Sequence, residues 1–153
     1  MPTTLREFLI EAIPTARLAM LRRTATEAPF VVAEPAAVPV RCCLRVARTG
    51  ERALLVAYRP PGGRGPYAET GPVFVHAEPC EGYRGGQPWP ADFADRRQVL
   101  RGYDRVGRIV DAVLAEPNQG PATLATLFGD DRIVVVHSRN VLYGCFMFLA
   151  RPG

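Results

Sequence analysis

The stretch RQVLRGYDRVGRIVDAVL, residues 97–114, decides the fold class. Apolar and β-branched residues fill 97–103 and 108–114, and the intervening DRVG places Asp104 and Gly107 where a tight turn requires them. This pattern predicts two antiparallel strands joined as a hairpin. A parallel pair would need a crossover of a dozen or more residues, and no such connection is present here.

Consecutive strands with tight turns continue on both sides of this hairpin. The segment PFVVAE lies among prolines within 24–39 and predicts an edge strand. Gly50 supplies a turn in a second hairpin, and Asn140 and Gly144 indicate a turn and a bulge in a third. The remaining predicted strands are 6–13, 40–47 paired with 52–58, 73–77, and 132–137 paired with 141–149.

Two short helices complete the predicted elements. The first covers 14–23 and ends on two arginines, which suit the negative end of the helix dipole. The second covers 121–128 and is followed by Gly129, a residue typical of helix ends. About eight strands against two helices predict an α+β fold, mainly an antiparallel β-sheet or a partly open barrel. No linker or repeat divides the chain, so 1–153 is predicted to be a single domain.

The composition argues against several classes of protein. Apolar residues make up 48% of the chain and charged residues 22%, which is ordinary for a globular domain and not for a disordered one. No apolar stretch approaches the roughly 20 residues that a membrane-spanning helix needs. The N-terminus also lacks the basic start and long apolar segment of a signal peptide. We therefore expect a cytoplasmic protein with no membrane span.

The net charge of +4 is weak evidence for a nucleic-acid partner. All nineteen basic residues are arginine, and they are spread over the whole chain, whereas a nucleic-acid site needs a cluster on one face. The fragments GGRGP and YRGG resemble pieces of RNA-binding Arg-Gly-Gly tracts, but Gly and Pro are also the standard turn residues. An Arg-rich interaction or nucleic-acid-binding module is therefore retained only as an alternative function.

The two histidines and four cysteines carry the most distinctive chemistry. His76 and His137 are both predicted at strand ends, and Cys80 and Cys145 follow them. Imidazole and thiolate are the ligands that zinc prefers, so these four residues form a candidate metal site. Their spacing departs from the close pairs of common zinc motifs. The structural alternative is that the cysteines are small apolar core residues beside hydrogen-bonded histidines.

A thiol enzyme is a further alternative. The last hairpin could bring His137 near Cys145, with Asn140 or Asp104 orienting the imidazole. A thiol- or metal-dependent hydrolase or redox protein would use such His/Cys pairs. The cysteines lack a C-x-x-C spacing and a secretory context, which predicts free thiols.

Cys42 and Cys43 form an adjacent pair within a predicted strand. Neighbouring side chains of a strand point to opposite faces, so at most one of the two thiols is expected in the core. Arg41 and Arg45 flank the pair, and nearby positive charge lowers the pKa of a thiol. A redox-sensitive cysteine is therefore one interpretation and core packing is the other.

Polar residues also cluster where predicted strands stop, which is where sheets commonly present binding sites. Arg139 could hold an anionic group through a bidentate contact. The sequence therefore predicts a polar pocket for a small anionic ligand. The candidate ligand-binding residues are His76, Tyr103, Asp104, His137, Arg139 and Asn140.

Four blocks of sequence resemble a known family. In chain order they are RCCLRVARTGERALLVAYRPP, GPYAETGPVFVHAEPCEGY, VLRGYD and HSRNVLYGC. Together they are similar to the bacterial domain-of-unknown-function family 1203, from about Arg6 to the C-terminus. The resemblance implies a small cytosolic bacterial protein. It brings no reaction, cofactor or partner, so the candidate residues above depend on their own chemistry.

Overall fold

Two five-stranded sheets and two α-helices make up the described chain. The computed structural model describes residues 7–34, 37–83 and 89–153. The strands are β1 Phe8–Glu11, β2 Phe30–Val31, β3 Pro39–Val40, β4 Arg45–Val46, β5 Arg52–Tyr58, β6 Gly71–His76, β7 Gln98–Tyr103, β8 Ile109–Ala115, β9 Val135–Asn140 and β10 Phe146–Pro152, and the helices are α1 Thr15–Thr24 and α2 Gly120–Leu127. Neither helix is long and apolar enough to cross a bilayer.

The first sheet has the order β1-β10-β9-β7-β8, and all its neighbouring strands are antiparallel. Residues 97–114 form the predicted hairpin of β7 and β8. Its turn is closed by a hydrogen bond from Asp104 N–H to the Arg108 carbonyl at 2.9 Å, and Gly107 has a φ of 86°. The last hairpin, β9 with β10, is also confirmed.

The second sheet has the order β2-β5-β6-β3-β4, with one parallel pair, β3 and β6. The edge position predicted for PFVVAE is confirmed by β2. The predicted hairpin of 40–47 with 52–58 is wrong, because β5 pairs with β2 and β6. Residues 41–44 form a turn instead of a strand, with Leu44 N–H donating to the Val40 carbonyl at 3.1 Å.

The fold class is confirmed as α+β, mainly antiparallel sheet, and the two described sheets are not closed into a barrel. One buried cluster is shared by both sheets and includes Val75 and Val40 of the second sheet with Tyr103 and Leu149 of the first. A second cluster packs α2 against the first sheet. The first sheet is therefore covered on both faces, and the polar ends of β6 and β9 belong to different sheets.

Candidate functional site

Three segments bring four metal-binding side chains together beside the second sheet. The turn between β3 and β4 supplies Cys42 and Cys43, the end of β6 supplies His76, and the following loop supplies Cys80. The four ligand atoms all lie within 4.8 Å of one another. Three of the residues are buried and Cys80 is half-buried.

The turn explains why both adjacent thiols reach this point. Leu44 has a left-handed backbone, with φ of 56°, and the turn replaces the alternation of an extended strand. Cys42 and Cys43 are consequently both buried. The expectation that at most one of them joins the core is wrong, because it assumed a strand at this position.

Two hydrogen bonds donated by backbone N–H groups hold the turn against β6. Arg41 N–H donates to the Phe74 carbonyl at 2.8 Å, and His76 N–H donates to Cys42 Sγ at 3.2 Å. The buried Arg41 side chain points elsewhere, since its Nε donates to the Phe146 carbonyl at 2.7 Å. Arg41 therefore links the turn to the other sheet and donates no hydrogen bond to a thiol among the described contacts.

The distances within the cluster agree with a tetrahedral metal shell. Cys42 Sγ and Cys43 Sγ are 4.0 Å apart, and His76 Nδ1 lies 3.3 Å from Cys42 Sγ and 3.6 Å from Cys43 Sγ. Zinc bonds of about 2.3 Å to sulfur and about 2.05 Å to nitrogen, at tetrahedral angles, require about 3.8 Å between sulfurs and about 3.5 Å between sulfur and nitrogen. Cys42, Cys43 and His76 can therefore share one ion with small adjustments, and the Cys80 sulfur lies within 4.8 Å of each of their ligand atoms.

A second layer of charged residues orients His76. Its Nε2 lies 3.3 Å from Glu51 Oε1. Arg45 donates to both carboxylate oxygens of Glu51, at 2.9 and 3.0 Å, and its Nε donates to Glu81 at 2.8 Å. Metal-binding histidines characteristically donate their second N–H to a carboxylate in this way, which fixes the ring and the tautomer.

The pKa values of the cluster point to one stabilised thiolate. The hydrogen bond with Cys43 lowers the pKa of Cys42 to about 4 against the opposing effect of burial, and a hydrogen bond with His76 contributes in the same direction. The hydrogen bond with Cys42 raises the pKa of Cys43, burial raises that of Cys80, and the hydrogen bond with Cys42 raises that of His76. Negative charge at Cys42 is thus favoured, as a cation site requires.

The candidate metal residues proposed from the sequence fall into two places. His76 and Cys80 join the cluster with Cys42 and Cys43. His137 lies in the first sheet, with its Nε2 donating to the Pro61 carbonyl at 2.6 Å. Cys145 lies in the turn between β9 and β10, where its Sγ is 3.8 Å from the Tyr143 carbonyl. None of the contacts among the described residues joins one pair to the other.

The candidate ligand-binding residues divide in the same way. His76 belongs to the cysteine cluster, whereas Tyr103, His137 and Arg139 adjoin one another in the first sheet. The Tyr103 and His137 ring centroids are 4.6 Å apart, and Arg139 Nη2 is 3.4 Å from His137 Nδ1.

The other two of these residues serve turns. Asp104 Oδ1 accepts hydrogen bonds from two backbone N–H groups of the β7–β8 turn, each at 3.0 Å. Asn140 Oδ1 accepts two in the β9–β10 turn, each at 2.9 Å. The Asn140 contacts agree with the turn position predicted for it.

Sequence reasoning considered Cys42 and Cys43 only as a reactive or packed pair, and it did not consider Glu51. The adjacent cysteines and the His-x-x-x-Cys spacing were the available signals. The parallel pairing of β3 with β6 unites them, and this pairing joins segments separated by more than thirty residues of sequence. Local patterns carry no information on such a pairing.

Comparison with known proteins gives one match. The family model described as "Protein of unknown function (DUF1203)" matches residues 37–151, a region that begins later than the resemblance suggested and contains the whole cysteine–histidine cluster. No curated protein and no solved structure matches the chain. The chain therefore belongs to the family of proteins of unknown function numbered 1203.

Proposed function

We propose that this protein binds one zinc ion through Cys42, Cys43, His76 and Cys80. The observation that carries the proposal is the convergence of four nitrogen and sulfur ligand atoms within 4.8 Å. Three thiolates and one imidazole form a recognised zinc donor set, and soft sulfur ligands disfavour magnesium and calcium. The carboxylate of Glu51 behind His76 supplies the outer contact that such sites use.

Four protein ligands close the coordination shell of a tetrahedral ion, so the proposed role of the zinc is structural. The ion would connect the β3–β4 turn, the end of β6 and the loop that carries Cys80. These segments are short and irregular, and β3 and β4 have two residues each. A cytoplasmic location, where thiols remain reduced, suits this role.

A thiol-dependent enzyme is the second candidate, because Cys42, His76 and Glu51 follow one another as nucleophile, base and orienting group. Cys42 Sγ is 3.3 Å from His76 Nδ1, and His76 Nε2 is 3.3 Å from Glu51 Oε1. A cavity of about 390 Å³ has Cys42 and Cys80 in its lining. This arrangement could serve a hydrolase or redox protein if the thiols are free of metal.

Metal analysis of the purified protein tests the zinc proposal. We expect one zinc per chain after purification under reducing conditions, measured by plasma mass spectrometry. Cys80→Ser should lower zinc retention during dialysis against a chelator, because it removes one of four ligands. Cys145→Ser is the matched control, since its sulfur lies in the β9–β10 turn away from the cluster, and it should retain zinc as the unaltered protein does. If the unaltered protein binds no more than trace amounts of zinc, even after it is reconstituted with zinc, the proposal is contradicted.

Alkylation separates the two candidates. With zinc bound, Cys42 should react slowly with iodoacetamide at pH 7, and chelation should accelerate the reaction. Peptide mass spectrometry can locate the modified cysteine. Fast and metal-independent alkylation of Cys42 would support the thiol enzyme instead.

A further inference from the structure

The first sheet contains an ion-pair cluster that is separate from the zinc site. The Glu69 carboxylate lies between two arginines, 2.9 Å from Arg101 Nη1 through Oε1 and 3.2 Å from Arg139 Nη1 through Oε2. The Arg139 side chain is only 7% exposed, whereas that of Glu69 is 48% exposed. One half-exposed carboxylate, that of Glu69, thus pairs with two guanidinium groups, and one of these, that of Arg139, is buried.

The Arg139 guanidinium is held in place by the fold. Its Nη1 donates to the Gly144 carbonyl at 3.1 Å and its Nη2 contacts His137 Nδ1 at 3.4 Å. His137 donates from Nε2 to the Pro61 carbonyl, so its Nδ1 is free to accept from Arg139. The arginine is therefore oriented before any ligand arrives.

One buried donor in this cluster, Arg139 Nε, has no hydrogen-bond partner among the described residues. Tyr103 is completely buried, and its hydrogen bond with Arg101 helps to raise the pKa of that arginine against the effect of burial. A buried donor without an acceptor is energetically unfavourable. The Arg139 Nε therefore indicates that the cluster can take a further acceptor.

A small cavity adjoins Arg139. It measures about 100 Å³ and its lining includes Glu69, Arg139 and Cys145. Arg101 lies behind this lining, where it holds the shared Glu69 carboxylate. The cavity volume is several times the space that a single water molecule needs. This space suits a small oxyanion and is too small for a large organic ligand.

Glu69 can leave the cluster without unfolding its loop. The loop of residues 59–70 is fixed at its first half, where an added Cβ on Gly62 would lie 2.7 Å from Val135 and one on Gly63 would lie 2.3 Å from the Tyr67 carbonyl oxygen. Arg64 N–H also donates to the Gly107 carbonyl at 3.0 Å. Rotation of the exposed Glu69 side chain alone would free both guanidinium groups.

We propose that Arg101 and Arg139 bind the phosphate group of a small ligand, and that Glu69 occupies this site as an internal competitor. A phosphate dianion balances the two guanidinium charges, which one carboxylate does not, and arginine binds phosphate through paired hydrogen bonds. Of the residues predicted from the sequence, Arg139 lines the cavity, and His137 and Tyr103 lie behind it. The phosphate site is independent of the zinc proposal, because the two sites share no residue.

Phosphate titration of variants in which one glutamate is replaced by glutamine tests this site. Inorganic phosphate is the probe, and its binding is measured by calorimetry at constant ionic strength. Glu69→Gln should bind phosphate with a Kd about tenfold lower than the unaltered protein, because the competitor loses its charge. Glu116→Gln is the matched control: Glu116 forms an exposed ion pair with Arg97 at 2.9 Å, so the net charge changes equally. An equal gain in both variants, or none in Glu69→Gln, would overturn the proposal.

A second variant guards against misfolding. The double variant Glu69→Gln with Arg101→Gln should lose the gain in phosphate affinity. The Arg101 side chain is 24% exposed, so the fold should tolerate this change better than a change at buried Arg139. Retention of tight phosphate binding in this double variant would overturn the proposal. Acetate binding as tight as that of phosphate in Glu69→Gln would also overturn it, because it would remove the preference for a dianion.

Discussion

At the scale of single residues, environment decides what each histidine can do. His76 lies against the Cys42 thiolate and the Glu51 carboxylate, and both raise its pKa although burial lowers it. His137 is almost completely buried, and this burial lowers its pKa, with two nearby arginines acting in the same direction. The sequence gives both histidines the same strand-end setting, and only the neighbours brought by tertiary packing distinguish them.

The burial of His137 predicts a specific dependence of stability on pH. Burial lowers the pKa of His137 to about 4, and the charges of Arg139 and Arg101 act in the same direction while Glu69 opposes them. Between pH 7 and pH 5 the unfolded chain gains a proton that the folded protein does not, so the free energy of unfolding should fall as the pH drops. The loss from this residue is about 2 kcal/mol.

Urea denaturation at pH 7 and pH 5 measures this effect. The unaltered protein should lose about 2 kcal/mol more than His137→Gln over this interval, because glutamine does not titrate. Other ionisable groups contribute to both proteins and cancel in the comparison. Equal losses in the two proteins would show that His137 binds its proton in the folded state as readily as in the unfolded chain.

Glu51 should act on the metal only through His76. Its replacement by glutamine keeps the size of the side chain but weakens the charged contact with His76 Nε2. We expect Glu51→Gln to reduce zinc affinity by about 10–100-fold, measured by competition with a chromophoric chelator. Glu78→Gln is the control, because Glu78 pairs with exposed Arg52. If both variants bind zinc equally, the contact between Glu51 and His76 is irrelevant to the metal.

At the scale of elements, local patterns correctly predicted those hairpins in which a short turn with typical turn residues joins two strands. Asp104 and Gly107 define the β7–β8 turn, and Asn140 closes the β9–β10 turn. The run 40–47 has strand-like composition, but residues 41–44 form a turn. Propensity was overridden there by the buried environment of Cys42 and Cys43, which no local signal in the sequence describes.

Zinc removal should loosen particular elements and spare others. If the ion connects the β3–β4 turn with the loop after β6, chelation should increase amide hydrogen exchange in residues 39–46 and 76–83. The β7–β8 hairpin lies in the other sheet and serves as the internal control. Exchange is followed by mass spectrometry of peptides. Unchanged protection at 39–46, or equal loosening everywhere, would contradict a local structural role.

At the scale of the whole molecule, the number and type of strands predicted the α+β class, but not the division into two sheets. Val40 pairs with Phe74 in parallel, and this contact joins distant parts of the chain. The same division separates His76 from His137, which the sequence had grouped. Which strands share a sheet depends on long-range packing, and periodicity within each strand does not encode it.

The distribution of arginine over the molecule agrees with its dispersal in the sequence. Several arginines form ion pairs with carboxylates, and these pairs are distributed over both sheets and the loops between strands. Each such pair reduces the positive field that a polyanion would meet. The Arg-rich interaction or nucleic-acid module proposed from composition therefore gains no support from these contacts.

X-ray absorption at the zinc edge of the purified protein tests the central claim most directly. The proposed site predicts a shell of three sulfur atoms at about 2.3 Å and one nitrogen at about 2.0–2.1 Å. It also predicts the loss of one sulfur in Cys80→Ser and an unchanged shell in Cys145→Ser. A shell of oxygen and nitrogen alone, or one that retains three sulfurs in Cys80→Ser, would contradict the assignment of Cys42, Cys43, His76 and Cys80 as the zinc ligands.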